Sequence, residues 1–167
     1  MKRFYSILAG FTLLSLPILV LAVQSVEVSS NASRYQIQAG AISVELARFT
    51  VATPEAMRIS SIAISSNSNI NSFSNLGLFD VETGAIVAGL TEIAAGGVIN
   101  FTDTITIPEG TKTYALKGKV TSSFVSPRAT NFLTNPSSDW LAVWQASGQA
   151  VTFTTRGAVK IGTVVIR

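Results

Sequence analysis

The chain has 167 residues, a formal net charge of +3, and neither histidine nor cysteine. Without histidine it lacks the commonest general base, the commonest metal ligand and any Ser-His catalytic arrangement. The basic residues are scattered rather than clustered, which gives no electrostatic footprint for nucleic acid and no polybasic patch for a membrane surface.

The first element is a basic start, Met1-Lys2-Arg3, followed by an apolar run over residues 4–23. A basic start, an apolar stretch and a small-residue exit describe a secretory signal peptide. Val20 and Ala22 supply the small-x-small exit, which places cleavage after Ala22. The run is near the lower length limit for a bilayer span, so retention as an anchor is the alternative. Pro17 would break the end of a helix and favours the signal peptide. Removing residues 1–22 leaves 145, one domain over 23–167, and a net charge of about +1. A domain of that size can bury a core without disulfides, which suits a bacterial or archaeal envelope protein.

Next come the strands. Val26 and Val28 flank Glu27, and residues 29–33 are a polar break. Residues 35–38 alternate again. Ile42, Val44 and Leu46 share one phase, whereas Ala47, Phe49 and Val51 share the other. The change of phase predicts a β-bulge near Leu46 or a strand buried on both faces. After Pro54-Glu55, the run 57–64 carries Ile59, Ile62 and Ile64 with one more slip. Residues 65–75 read as a long polar loop. Glu82-Thr83-Gly84 reads as a hairpin turn, with Gly84 at the position needing positive φ.

Residues 98–120 carry the clearest pattern. Ile99, Phe101, Ile105 and Ile107 recur mostly in steps of two, then Pro108-Glu109-Gly110 intervenes, and Tyr114, Leu116 and Val120 continue. Alternation of this kind is a strand with one wet face and one buried face. Pro and Gly supply turn chemistry, which predicts an antiparallel hairpin whose apolar face needs a second sheet to cover it. Residues 121–139, with Pro127 and Pro136, read as a long connection or a pair of short edge pieces. The runs 140–144, 150–155 and 159–166 are the last strands. The total is roughly nine to eleven short strands about 8–12 residues apart, which predicts an all-β, antiparallel sandwich.

Four stretches carry a resemblance. They are Val44-Glu45-Leu46-Ala47-Arg48-Phe49-Thr50-Val51, Met57-Arg58-Ile59-Ser60-Ser61-Ile62, Asn75-Leu76-Gly77-Leu78-Phe79-Asp80 and Ile107-Pro108-Glu109-Gly110-Thr111-Lys112-Thr113-Tyr114. Their order over residues 38–120 resembles the Ig-like β-sandwich modules of large bacterial and archaeal surface proteins, adhesins or S-layer-like proteins. The resemblance implies a Greek-key sandwich and a non-catalytic envelope or adhesive role. Separately, Gly10-Phe11-Thr12-Leu13-Leu14 resembles the processing site of type IV prepilins, with Ser15 standing where that pattern has Glu.

Candidate sites are few. In Trp140-Leu141-Ala142-Val143-Trp144 the two indoles share one face and Leu141 and Val143 the other. With Leu141 and Val143 inward, Trp140 and Trp144 would form an exposed platform for stacking on sugar rings. With the phase reversed they cap the core, as Trp is highly buried on average. Asp80, Glu82, Asp103 and Asp139 are the acids nearest turns, but none forms the closely spaced run a calcium loop uses, so no metal is expected. Asn31-Ala32-Ser33 and Asn100-Phe101-Thr102 match the glycosylation sequon. Gly96-Gly97 is followed by no Lys-Ser/Thr and is not a phosphate loop. The runs 23–29 and 162–166 are candidate edge strands for pairing with a neighbouring copy.

The expectation is therefore an exported, non-catalytic structural or adhesive module without cofactors. Its partners would be other surface proteins, copies of itself, or glycans, and it would touch a membrane only through an uncleaved N-terminal segment. The alternatives are a filament subunit assembling by strand addition and a carbohydrate-binding module.

Overall fold

The computed structural model describes residues 24–67, 72–122 and 129–167. The expected signal peptide with its cleavage at Ala22, and the prepilin-like run 10–14, lie outside the described residues. No helix among the described residues is long and apolar enough to cross a membrane.

The described residues form two stacked sheets. Among the described residues the first strand is β1 (Ser25–Ser29); the chain then crosses through residues 30–33 to β2 (Arg34–Ile37) and returns to β3 (Val44–Thr53). It continues through β4 (Met57–Ser66), β5 (Phe73–Asp80), β6 (Ile86–Thr91), β7 (Val98–Phe101), β8 (Ile105–Ile107), β9 (Gly110–Val120) and β10 (Ala129–Thr134). One helical turn, α1 (Pro136–Asp139), precedes β11 (Trp140–Trp144), β12 (Thr152–Phe153) and β13 (Val159–Ile166). Sheet 1 runs in the order β12-β1-β3-β9-β5-β6. Sheet 2 runs β11-β4-β10-β13-β2, with β7 and β8 along the other edge of β4.

The apolar alternations form strands, and the turn at Glu82-Thr83-Gly84 joins β5 and β6 as an antiparallel hairpin, with φ +71° at Gly84. The phase change in β3 is a bulge: the β3–β9 register shifts between Glu45 and Ala47, and Leu46 and Ala47 are both fully buried. The extra residue turns consecutive side chains toward the core instead of letting them alternate. A similar irregularity opposite Ser60 explains the slip in β4.

Three expectations are corrected. First, residues 98–120 are not a hairpin. β8 pairs with β4 in sheet 2, whereas β9 pairs with β3 and β5 in sheet 1, so Pro108-Glu109 carries the chain across the sandwich. Two apolar faces can both be buried in one sheet or face each other from two, and periodicity does not separate these cases. Second, the sheets are mixed: β1 pairs with β12 and β13 with β2 in parallel, each across a long sequence separation. A period of two carries no strand direction. Third, β10 is no edge piece; it lies between β4 and β13.

The core is one cluster between the sheets. Trp140 stacks edge-on against Phe49 at 5.6 Å and Phe153 at 5.7 Å, while Phe73 and Phe132 form a second edge-on pair at 5.5 Å. Each such side chain, fully buried, stabilises the fold by roughly 2–3 kcal/mol. The sheets approach closely where β13 passes the bulge of β3. A Cβ built on Gly162 would lie 2.5 Å from the Leu46 carbonyl oxygen and 2.7 Å from Ala47 Cα. On one flank the break between β7 and β8 places Asp103 against the edge of sheet 1, where its carboxylate accepts the Gly89 N–H at 2.8 Å.

Candidate functional site

The opposite flank is built differently. β1 covers β3 only from Thr50 to Ala52, then leaves for sheet 2 through residues 30–33. Ser30 ties the start of that crossover down, its hydroxyl donating to the Arg48 carbonyl at 2.7 Å. A strip of β3 is thereby left without a strand beside it. The result is a groove of about 350 Å³ between the crossover, with Ser30, Asn31 and Ser33, and β3, with Glu45, Arg48 and Thr50. Tyr35, on β2, forms its wall.

Three side chains meet there. Glu45 accepts the Tyr35 hydroxyl at 2.6 Å and a forked pair from Arg48, Nε at 2.8 Å and Nη2 at 2.7 Å. Forked guanidinium–carboxylate pairing is the strong, direction-specific form of this contact. In an unbroken strand, residues three apart point to opposite faces. The bulge at Leu46 removes that half-step, so Glu45 and Arg48 share the outer face, opposite Lys117 and Ala115. Because Tyr35 belongs to sheet 2, the triad ties the two sheets together.

The electrostatics lock each group in one protonation state. Burial opposes charge on Glu45, but the hydrogen bonds from Arg48 and Tyr35 and the guanidinium charge outweigh it and lower its pKa. Burial, then the bond to Glu45 and its negative charge, push the Tyr35 hydroxyl up to about 12. The bond to Glu45 raises the Arg48 pKa further. At neutral pH the triad is therefore Tyr-OH, carboxylate and guanidinium.

A pH dependence follows. Because the folded-state pKa of Glu45 is depressed, its contribution is complete above the ordinary value of 4.5 and is lost as the pH falls through the lower folded value. Tyr35→Phe removes the bond between the sheets and, at a half-buried site, is expected to cost about 1 kcal/mol at neutral pH. The difference from the parent should narrow in melts recorded well below pH 4.5. A gap that stays constant to low pH would separate Tyr35 from the charge on Glu45.

The residues singled out in the sequence lie elsewhere. Trp140 and Trp144 are 4% and 6% exposed, with Leu141 outside at 65%. The phase is the core-capping one, and as the strand stands neither indole offers a face to a sugar ring. Trp140 Nε1 donates to the Thr134 hydroxyl at 2.7 Å, which itself donates to the Ala63 carbonyl at 2.9 Å, so the polar edge is satisfied inside the core. The turn acids are dispersed. Asp80 caps its own turn by accepting the N–H groups of Glu82 and Thr83, Glu82 pairs with Lys112, and Asp139 accepts the Asn135 N–H. No group of three potential ligands for a metal occurs among the described residues. Asn31 and Asn100 of the two sequons are exposed. Both candidate edge strands are already flanked: β1 by β12 and β3, β13 by β10 and β2.

Sequence reasoning did not single out the Tyr35–Glu45–Arg48 triad. The phase change at Leu46 was the available signal, because it implies that Glu45 and Arg48 fall on one side.

No family model matches the chain, and no curated protein matches it. Among solved structures it is similar to a family 123 glycoside hydrolase from Clostridium perfringens, at 10% identity and a TM-score of 0.36. The alignment takes in 87% of this chain but only 27% of that enzyme. It is also similar to the bacterial hydrophobin BslA, at 11% identity and a TM-score of 0.31, over 87% of this chain and 96% of that one. Likeness at these scores assigns neither a fold family nor an activity.

Proposed function

We propose that this chain is a non-catalytic, exported β-sandwich module of a microbial cell envelope, doing structural or adhesive work through its outer surfaces. In this reading the sandwich is an Ig-like, Greek-key module, and residues 1–22 form the signal helix removed after Ala22. The observation that supports the non-catalytic part is that Tyr35, Glu45 and Arg48 in the groove are paired with one another. Proton transfer needs a group poised to titrate near working pH, whereas Tyr35 is held up to about 12 and Glu45 is held below its ordinary range. Strand addition through the ends of the domain is disfavoured, because β1 and β13 both have neighbours on each side. The expressed full-length chain should be exported by a bacterial host and yield a mature mass beginning at Val23. It should turn over neither polysaccharides nor peptides. Retention of residues 1–22 on a cytoplasmic product would contradict export, and turnover of any polymer would contradict the non-catalytic role.

A further inference from the structure

We infer that the groove beside residues 30–33 is a binding site for a neutral, polyhydroxylated ligand, namely a carbohydrate chain. The inference rests on the reading of the chain as a non-catalytic surface module and names what that surface holds. Its first support is shape. At about 350 Å³ the groove lies at the lower end of ligand-pocket sizes, and it is open along one side, as a site for part of a polymer must be.

The second support is charge. The only ionised groups in the lining are Glu45 and Arg48, and they cancel in a forked pair. An anionic ligand would meet the Glu45 carboxylate and a cationic one the Arg48 guanidinium. A neutral ligand is opposed by neither.

The third support is the pattern of donors and acceptors. Arg48 uses two of its five N–H donors on Glu45, also meets the Tyr35 hydroxyl, and remains 46% exposed, so at least two donors are left over. The Ser30 hydroxyl donates to the Arg48 carbonyl, which leaves its oxygen lone pairs as acceptors, and the Ser33 hydroxyl, between the Asn31 carbonyl and Tyr35, adds a further polar group to the rim. The exposed amide of Asn31 supplies both kinds. Vicinal sugar hydroxyls, each donor and acceptor at once, match such a mixed rim. The half-buried ring of Tyr35 offers an apolar strip beside it for the C–H face of a sugar. This site is distinct from Trp140 and Trp144, which lie inside the core.

The test uses the ¹⁵N-labelled protein titrated separately with laminarin, cellohexaose, chitohexaose and mannan. Polygalacturonate and chitosan serve as the anionic and cationic comparators. We expect at least one neutral glycan to shift the amides of Ser30, Asn31, Ser33 and Thr50. The double variant Asn31→Ala/Ser33→Ala should weaken that binding about tenfold, the equivalent of two modest hydrogen bonds, while melting within a few degrees of the parent. Shifts from none of the four neutral glycans, shifts confined to another face, or a preference for either charged polymer would overturn the inference. Chain lengths of the glycans after incubation are measured in the same samples. Shortened chains would sink the non-catalytic reading while leaving the location of the site standing, and so separate the two failures.

Discussion

Gly162→Ala is expected to lower the melting temperature by about 10 °C, the equivalent of roughly 3 kcal/mol for a domain of this size. The reason is the approach of β13 to the β3 bulge. The new methyl would sit 2.5 Å from the Leu46 carbonyl oxygen, 2.7 Å from Ala47 Cα and 2.8 Å from Ala47 Cβ. Two of these three atoms are backbone and the third is attached directly to it, so no side-chain rotation relieves the contact. The sheets must part locally, and a gap of even a few tenths of an ångström forfeits dispersion contacts along both. Gly89→Ala is the control, because its nearest neighbour beyond the adjoining chain is an Asp103 carboxylate oxygen at 3.5 Å, ordinary contact distance. It should shift the melt by no more than a few degrees. Equal effects of the two substitutions would mean that the sheets do not meet at Gly162.

Trp140→Ala should be costlier still, at about 4 kcal/mol. The indole is 4% exposed, packs edge-on against two rings of the opposite sheet, Phe49 and Phe153, and holds the Thr134 hydroxyl through Nε1. Trp140→Phe keeps most of the packing and loses chiefly that hydrogen bond, so about 1–2 kcal/mol is expected. Leu141→Ala, one residue on and 65% exposed, should stay within about 0.5 kcal/mol of the parent. Denaturant titrations followed by Trp emission give all three values, with the native emission blue-shifted. If Leu141→Ala proved costlier than Trp140→Ala, the strand would be turned over and the indoles would face solvent.

These two sites mark what could be read from the sequence. Alternation at Ile99, Phe101, Ile105 and Ile107 identified strands because burial on one face imposes a period of two. The same period is blind to which sheet a strand joins, so the turn at Pro108-Glu109-Gly110 was legible as a turn but not as a passage between sheets. It is also blind to which face of a short strand is buried when both carry apolar residues, which is why Trp140-Leu141-Ala142-Val143-Trp144 left two phases open. The bulge at Leu46 was visible as a broken alternation. Its consequence, Glu45 and Arg48 side by side with Tyr35 arriving from the other sheet, depends on a pairing between β2 and β13, near opposite ends of the domain. Nothing local to residues 34–48 encodes that pairing.

The two-sheet sandwich that holds the groove, the Glu45 clasp and the buried indoles has the chain change sheets at Pro108-Glu109. Backbone NOEs across the strands test this most directly. The account predicts contacts between Ile59 and Ile105 and between Met57 and Ile107 in one sheet, and between Val51 and Lys112 in the other. Contacts between Ile105 and Lys112, as a hairpin closed at Pro108-Glu109 would place them, would contradict it.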